Sequence, residues 1–317
     1  MGGIVKVNDI KIWYEEFGVS SNDTILLIMG ANANCKQWDK KFIDQLVLNN
    51  FHVIRFDNRD VGKSTWIGKE PTYNKILKFL PSFLLKLIVN SIFGLAIDEK
   101  GKFKFSKASK VQYDLSDMAK DAISLMDILN IDRAHIIGAS MGGMITQIIA
   151  LDYPERVLSI TPIMTSPGIQ NNSLSGPTEE LLEAIKKSFV FNLKGRIEDG
   201  VVEIYRQLTG SRFPFNEQEF REKLKSVIEH GNNPFALHGA AVGASPDRTS
   251  RLHEIKVPAL IIHGTEDAIL PLDHGIAVAE GITDSKRMIM DGVGHEIPEE
   301  LLPKIVNEIV ENIKRVS

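Results

Sequence analysis

Apolar residues in this chain fall in short, nearly unbroken runs separated by stretches of helical period. Ile4–Val7 and Ile10–Glu15, with Asn8-Asp9 between them, predict two strands joined by a tight hairpin. From Thr24 onward the runs are Ile25–Met29, Val53–Phe56, His135–Ile137, Leu158–Ile160, Ala259–Ile262 and Met288–Met290. Most are rich in β-branched residues, as expected of strands buried on both faces of a parallel sheet. The clearest helical stretch is 115–129, where Leu115, Met118, Ala119, Ala122, Leu125, Met126 and Leu129 recur at i, i+3, i+4 and i+7 and Asp114 can cap the start. A hairpin followed by alternating strands and helices predicts an α/β fold: a mostly parallel, doubly wound sheet with an N-terminal antiparallel hairpin.

Two stretches break the alternation. Residues 166–250 carry helical patterns at 178–191 and 216–230, punctuated by Gly and Pro, with no strand pattern. They predict a helical cap or lid inserted into a core made of 1–165 and 251–317. The second stretch, about 66–112, is too long for an ordinary strand-to-helix connection. Within it, 75–97 approaches the length of a membrane span, but Lys78, Pro81 and Lys86 argue against one. Pro81 should open a new helix. On a helical wheel Lys75, Lys78, Ser82, Lys86 and Asn90 share about a third of the circumference. The expected arrangement is a helix packed into the cap with its lysine stripe in water. Weak contact with a membrane surface, or a mobile lid, is the other reading.

Composition narrows the function classes. With 43% hydrophobic and 25% charged residues, the chain suits a water-soluble globule, and 317 residues are compatible with one α/β core. A net charge of -4 leaves no electrostatic footprint for nucleic acid. The single cysteine, Cys35, excludes an internal disulfide and suits a reducing compartment. The first residues lack the charged and then apolar run of a secretory signal, and Lys6 breaks the myristoylation pattern, so a cytoplasmic location is expected. Homo-oligomers are compatible with this composition.

The strongest chemical signal is His135-Ile136-Ile137-Gly138-Ala139-Ser140-Met141-Gly142-Gly143, an apolar strand running into G-x-S-x-G and then a helical pattern through Ile145, Ile148, Ile149 and Leu151. A sharp strand-to-helix turn holds its middle residue in a strained conformation above the sheet, and the flanking glycines leave room for that turn. Ser140 is therefore the expected nucleophile. A serine hydroxyl needs a base to take its proton. Of eight histidines, His295 sits in Asp291-Gly292-Val293-Gly294-His295, a Gly-containing loop after the last expected strand. Loops at that edge of a parallel sheet gather catalytic groups. His263 is the weaker rival, while His52, His135 and His238 read as structural. The orienting carboxylate is expected at Asp267, in the loop after Ala259–Ile262, with Glu266 and Asp291 as weaker competitors. Ser140, Asp267 and His295 then stand in the chain order known for nucleophile-elbow enzymes.

An oxyanion needs hydrogen-bond donors, expected at the backbone N–H of Met141 and of Ala31, with Gly30 the near alternative to Ala31. Other features read as empty. Gly62-Lys63-Ser64 resembles the end of a phosphate loop, but Asp57 stands where the earlier Gly belongs. Asp57 and Arg59 are expected to brace a loop, and Cys35 to be a small buried residue. No H-E-x-x-H or zinc-spaced Cys/His pattern occurs, so no metal or organic cofactor is expected.

These motifs carry a resemblance to the α/β-hydrolase fold superfamily over nearly the whole chain, and within it to the aclacinomycin methylesterases and related bacterial carboxylesterases. The matching stretches are LLIMGANANCKQWD, HVIRFDNRDVGKST, DRAHIIGASMGGMITQIIALDYPERV, VPALIIHGTEDAILPLDHG and DGVGHEIPEELLPKIVNEI. The resemblance implies an esterase without metal or organic cofactor, cleaving methyl esters or carboxylic esters of small molecules more broadly, with its nucleophile, acid and base on Ser140, Asp267 and His295. It places the oxyanion donors on Ala31 and Met141. The 66–112 insertion departs from the pattern, and the cap offers no close match, so the polyketide substrate is not carried over. Ser-Met-Gly-Gly also occurs in carbon–carbon bond hydrolases and cofactor-free perhydrolases with the same triad. A non-catalytic ligand receptor on this fold is the alternative of another class.

Overall fold

The computed structural model describes residues 2–98, 101–102, 104 and 111–316. Of the insertion expected over 66–112, residues 99, 100, 103 and 105–110 lie outside the described residues. Eight strands form one sheet: β1 (Gly2–Val7), β2 (Ile10–Phe17), β3 (Thr24–Ile28), β4 (His52–Phe56), β5 (Ala134–Ala139), β6 (Val157–Ile163), β7 (Leu260–Gly264) and β8 (Lys286–Met290). Their order is β1-β2-β4-β3-β5-β6-β7-β8. The pairings β1–β2 and β2–β4 are antiparallel, and every pairing from β4 to β8 is parallel. The turn between β1 and β2 is tight enough to put Asn8 at φ 49°, a conformation Asn tolerates better than most residues.

Alternate residues of the central strands feed two cores. Leu26, Ile28, Ile54 and Ile136 pack with helices α4 (Leu115–Ile128), α5 (Met141–Asp152) and α10 (Leu272–Gly281) on one face. Ile25, Leu27, Val53 and Ile137 pack with α1 (Lys40–Leu48) and α11 (Leu302–Ile313) on the other. The α4 start is a full capping box: Asp114 accepts from the Asp117 N–H, and the Asp117 carboxylate accepts from the Asp114 N–H.

Two groups of helices interrupt the sheet. Between β4 and α4 come α2 (Asn74–Leu77) and α3 (Ser82–Ala96), with Pro81 at the N-cap of α3. Between β6 and β7 come α6 (Glu179–Leu193), α7 (Ile197–Leu208), α8 (Glu217–His230) and α9 (His238–Ala244), which make the inserted helical cap. The lysines of α2 and α3 are in water, but the helix is not seated with only those lysines outward. Leu85, Val89 and Phe93 are buried, whereas Phe83 and Leu87 are as exposed as Lys86. No helix among the described residues is long and apolar enough to cross a membrane.

From β3 the chain passes to β4 on one side and only later to β5 on the other. The carboxyl ends of β3 and β5 therefore border a topological switch point, the place where open α/β sheets generally bind ligands.

Candidate active site

Ser140 follows β5 directly and serves as N-cap of α5, at φ 54° and ψ -118°. That backbone is disfavoured for a residue with a Cβ and persists only where the surroundings enforce it. The surroundings here are close-packed. A Cβ at Gly138 would lie 2.2 Å from the Gly142 carbonyl oxygen, and one at Gly142 would lie 2.0 Å from that of Ile28. The Ser140 N–H donates to Ile163 O at 2.8 Å, and the Thr165 hydroxyl donates to Ser140 O at 2.7 Å. The turn is thus clamped from β6 while the Ser140 hydroxyl itself has no hydrogen-bond partner among the described residues. It faces the β3 loop: a Cβ on Gly30 would sit 3.7 Å from Ser140 Oγ.

Asp267 lies beyond β7 and is fully enclosed. Its Oδ1 accepts from the N–H groups of Ile269 (3.0 Å) and Leu270 (2.8 Å), and its Oδ2 meets His295 Nδ1 at 2.6 Å. Burial would push this carboxyl up, but His295, then His263 and the Leu270 N–H, outweigh it and hold Asp267 below its ordinary value. Because Oδ2 takes the Nδ1 side of the ring, His295 Nε2 is left without a protein partner among the described residues, on a side chain that is 12% exposed.

The competing residues point elsewhere. Glu266 turns away and accepts from the N–H and hydroxyl of Ser211, both at 2.7 Å. His263 is fully buried, with Nε2 at 2.8 Å from Leu270 O and 3.4 Å from Asp267 Oδ2. Burial lowers its pKa, so it stays a neutral donor beside Asp267, closed off from solvent. Asp291 makes no side-chain hydrogen bond or ion pair to a described residue; only its carbonyl is engaged, by Arg212.

The N–H groups of Ala31 and Met141 are not bonded to a protein acceptor among the described residues. Met141 opens α5, where free N–H groups and the helix dipole favour negative charge. Two supports hold the β3 loop in place, and sequence reasoning did not assign either to it. Asn58 Nδ2 donates to Met29 O at 3.0 Å. His238, on α9 of the cap, accepts the Asn32 N–H at Nδ1 (2.8 Å) and contacts Arg59 O through Nε2 (2.7 Å). Burial lowers the His238 pKa, and a neutral ring is the form that can accept at Nδ1 while donating at Nε2. Nothing along the chain links residues 32 and 238; only the fold does.

The segment after α7 performs the same service for the other loops. Leu208 O accepts from the His295 N–H at 2.7 Å, Gly210 N–H donates to Glu296 at 3.0 Å, and Ser211 holds Glu266. One strap of the cap therefore touches both the acid-bearing and the histidine-bearing loop.

Asp57 accepts from the N–H groups of Cys35 (3.0 Å) and Lys63 (2.9 Å) and from His230 Nε2 (2.7 Å). Arg59 pairs with Asp121 through two hydrogen bonds, 2.7 and 2.9 Å. Cys35, Asp57 and His230 have ligand-type atoms within 4.8 Å of one another. Burial and the neighbouring Asp57 hold the Cys35 thiol well above its ordinary pKa, and a metal needs the thiolate. The trio is a hydrogen-bonded brace under the loops that follow β3 and β4.

Known proteins place this geometry in context. The family described as alpha/beta hydrolase fold matches residues 23–300. The chain is 24% identical to rhodomycin D methylesterase DauP of a Streptomyces strain, over 93% of this chain and 92% of that protein. It is 27% identical to the 2-hydroxy-6-oxo-6-phenylhexa-2,4-dienoate hydrolase of Comamonas testosteroni, over 91% and 86% of the two chains. Its fold superposes on an esterase from Exiguobacterium antarcticum with a TM-score of 0.71 at 18% identity, covering 99% of this chain and 100% of that one. The chain belongs to the alpha/beta hydrolase fold family.

Proposed function

We propose that this hydrolase cleaves a carboxylic ester, a methyl ester among them, of a small hydrophobic molecule through an acyl-enzyme formed on Ser140. The reading rests on two unbonded groups that both follow carboxyl ends of strands of the sheet. The Ser140 hydroxyl is held on a strained elbow, and His295 Nε2 is freed by the Nδ1 bond to buried Asp267. In the first step Ser140 Oγ bonds to the ester carbonyl carbon and gives its proton to His295 Nε2. The oxyanion takes hydrogen bonds from the N–H groups of Met141 and Ala31. The carbon–alkoxy bond then breaks, and the leaving alkoxide takes the proton from His295. Water repeats the sequence, giving its proton to His295, and the acid departs as Oγ recovers one. The balance needs nothing beyond ester and water. In this reading the helices between 166 and 250 act as a lid on a core of 1–165 and 251–317, and shape the acyl and alcohol pockets.

A second reading, hydrolysis of a carbon–carbon bond, is supported by the similarity to the Comamonas testosteroni hydrolase. The methylesterase relatives favour the first. Product analysis with a set of methyl esters beside a vinylogous diketone separates them. Release of methanol with no diketone cleavage is expected, and cleavage of the diketone alone would replace the ester reading with the second.

His238 supplies a graded test of the oxyanion loop. His238→Ala should lower kcat roughly tenfold with KM little changed, a fraction of the ~10²–10³-fold cost of removing a donor outright. His238→Gln, which can still accept from the Asn32 N–H, should recover part of the loss. Steady-state kinetics on one ester decide it: equal losses in both variants, or a change confined to KM, would detach His238 from the oxyanion loop.

A further inference from the structure

Nine of the fourteen large hydrophobic side chains exposed among the described residues lie between Trp66 and Leu95. Phe79 is 80% exposed, Leu95 79%, Ile76 71%, Phe83 64% and Leu87 60%. Helix α3 reads SFLLKLIVNSIFGLA, apolar almost all round. A helix of that kind belongs in a core or against a nonaqueous phase. Only one of its faces is in the core: Leu85, Val89 and Phe93 pack on Val190 of α6, with Ile185 and Leu193 beside them. The opposite face, Phe83, Leu87 and Leu95, is bare. A contiguous patch of this kind marks an interaction surface, where scattered single residues would not.

The patch is held in place. Lys194 Nζ donates to the carbonyls of Lys78 (2.9 Å) and Leu80 (2.6 Å), fixing the turn between α2 and α3, and Pro81 starts α3. Its charge is opposite to that of the chain. Between residues 66 and 97 stand four lysines (Lys69, Lys75, Lys78, Lys86) and one acid, Glu70, in a protein of net charge -4. All four lysines are exposed, and none takes part in an ion pair among the described residues. Exposed Tyr73, a residue type that favours the level of lipid headgroups, stands at the N-cap of α2.

We propose that the outer face of α2 and α3 docks this protein on an anionic lipid bilayer. The helix lies in the interface plane, with Phe79, Phe83 and Leu87 among the acyl chains and the lysines at the headgroups. Apolar burial and cation attraction act together there. A second copy of the chain fits the face less well. A two-fold contact would bring Lys75, Lys78 and Lys86 of each copy against the same cationic surface, and like charges would meet. The docked face is joined to the site through α6, since Ile185 packs both beneath α3 and beside the Leu181, Leu208 and Ala268 group that adjoins Asp267.

Vesicle flotation of the full chain tests the proposal, using phosphatidylcholine alone and phosphatidylcholine with a third phosphatidylserine. The protein should float with the anionic vesicles, weakly with the neutral ones, and be released by about 0.5 M salt, where the screening length falls below ~5 Å. Phe83→Asp/Leu87→Asp should lose about tenfold or more in vesicle binding, the worth of one withheld side chain. Its melting temperature and turnover of a water-soluble ester should stay unchanged. Lys75→Glu/Lys78→Glu/Lys86→Glu should abolish the preference for phosphatidylserine, whereas Ser140→Ala should float like the parent protein. Absence of flotation with either vesicle, or flotation indifferent to both surface variants, overturns the proposal. A dimer in light scattering that Phe83→Asp/Leu87→Asp dissolves, without vesicle binding, overturns it in favour of a second copy.

Discussion

Ser140→Ala should cut ester turnover by about 10⁶-fold, the scale on which a serine nucleophile is missed, with substrate binding little changed. The fold should survive, because the hydroxyl has no bond to lose among the described residues and Ala keeps the Cβ that packs near Gly30. Residual activity would come from the oxyanion donors and from binding alone. Circular dichroism and thermal unfolding beside the kinetics distinguish lost chemistry from lost structure. A variant that folds and retains a tenth of the turnover would put the nucleophile elsewhere.

Asp267→Asn is the second large effect, and its size follows from which oxygen does what. Oδ1 is committed to the N–H groups of Ile269 and Leu270, so an Asn there must keep its carbonyl oxygen on that side. Its NH₂ then points at His295 Nδ1 and at the Nε2 side of His263. A donor facing Nδ1 drives the His295 proton onto Nε2, the atom that must accept from Ser140. Turnover should fall about 10⁴-fold with KM nearly constant, because the wrong tautomer is set and the imidazolium loses its counter-charge. The variant should also be less stable by about 1–3 kcal/mol, since a buried N–H₂ meets the His263 N–H. A loss smaller than tenfold would mean that Asp267 orients no catalytic histidine.

Much of the fold was legible because its signals are local. The short β-branched runs became β3 to β8, and the Gly138-to-Gly142 pattern became a strand-turn-helix because each glycine meets backbone within 2.2 Å of where a Cβ would stand. Strand β6 was read as Leu158–Ile160, but it spans Val157–Ile163 and continues through Pro162. Proline removes a ladder donor, and the pairing of β6 with β7 is correspondingly sparse, one register pair at Ile163 and a bridge at Ile160. Strand β8 was read from Met288 because Lys286 and Arg287, exposed at the sheet edge, hide its start.

The cap was less readable. Helix α9 is a seven-residue HGAAVGA, too short and too rich in small residues to show a helical period, whereas α7 went unread although Ile197, Val201, Ile204, Tyr205 and Leu208 recur at helical spacing. Their contributions, the Leu208–Ser211 strap and the His238 support, are contacts between distant parts of the chain that no spacing encodes. The lysines of α2 and α3 were visible as a stripe on the wheel, but not which apolar row the core would take. That was decided by Val190, about a hundred residues further on.

The most direct measurement is acid-quenched peptide mapping by mass spectrometry, after rapid mixing with p-nitrophenyl acetate. The acetyl mass should appear on the peptide carrying Ser140 in the parent protein, form far more slowly in His295→Ala, and be absent in Ser140→Ala. Acetyl found on another residue, or full turnover in a protein whose Ser140 never becomes acylated, would contradict the account.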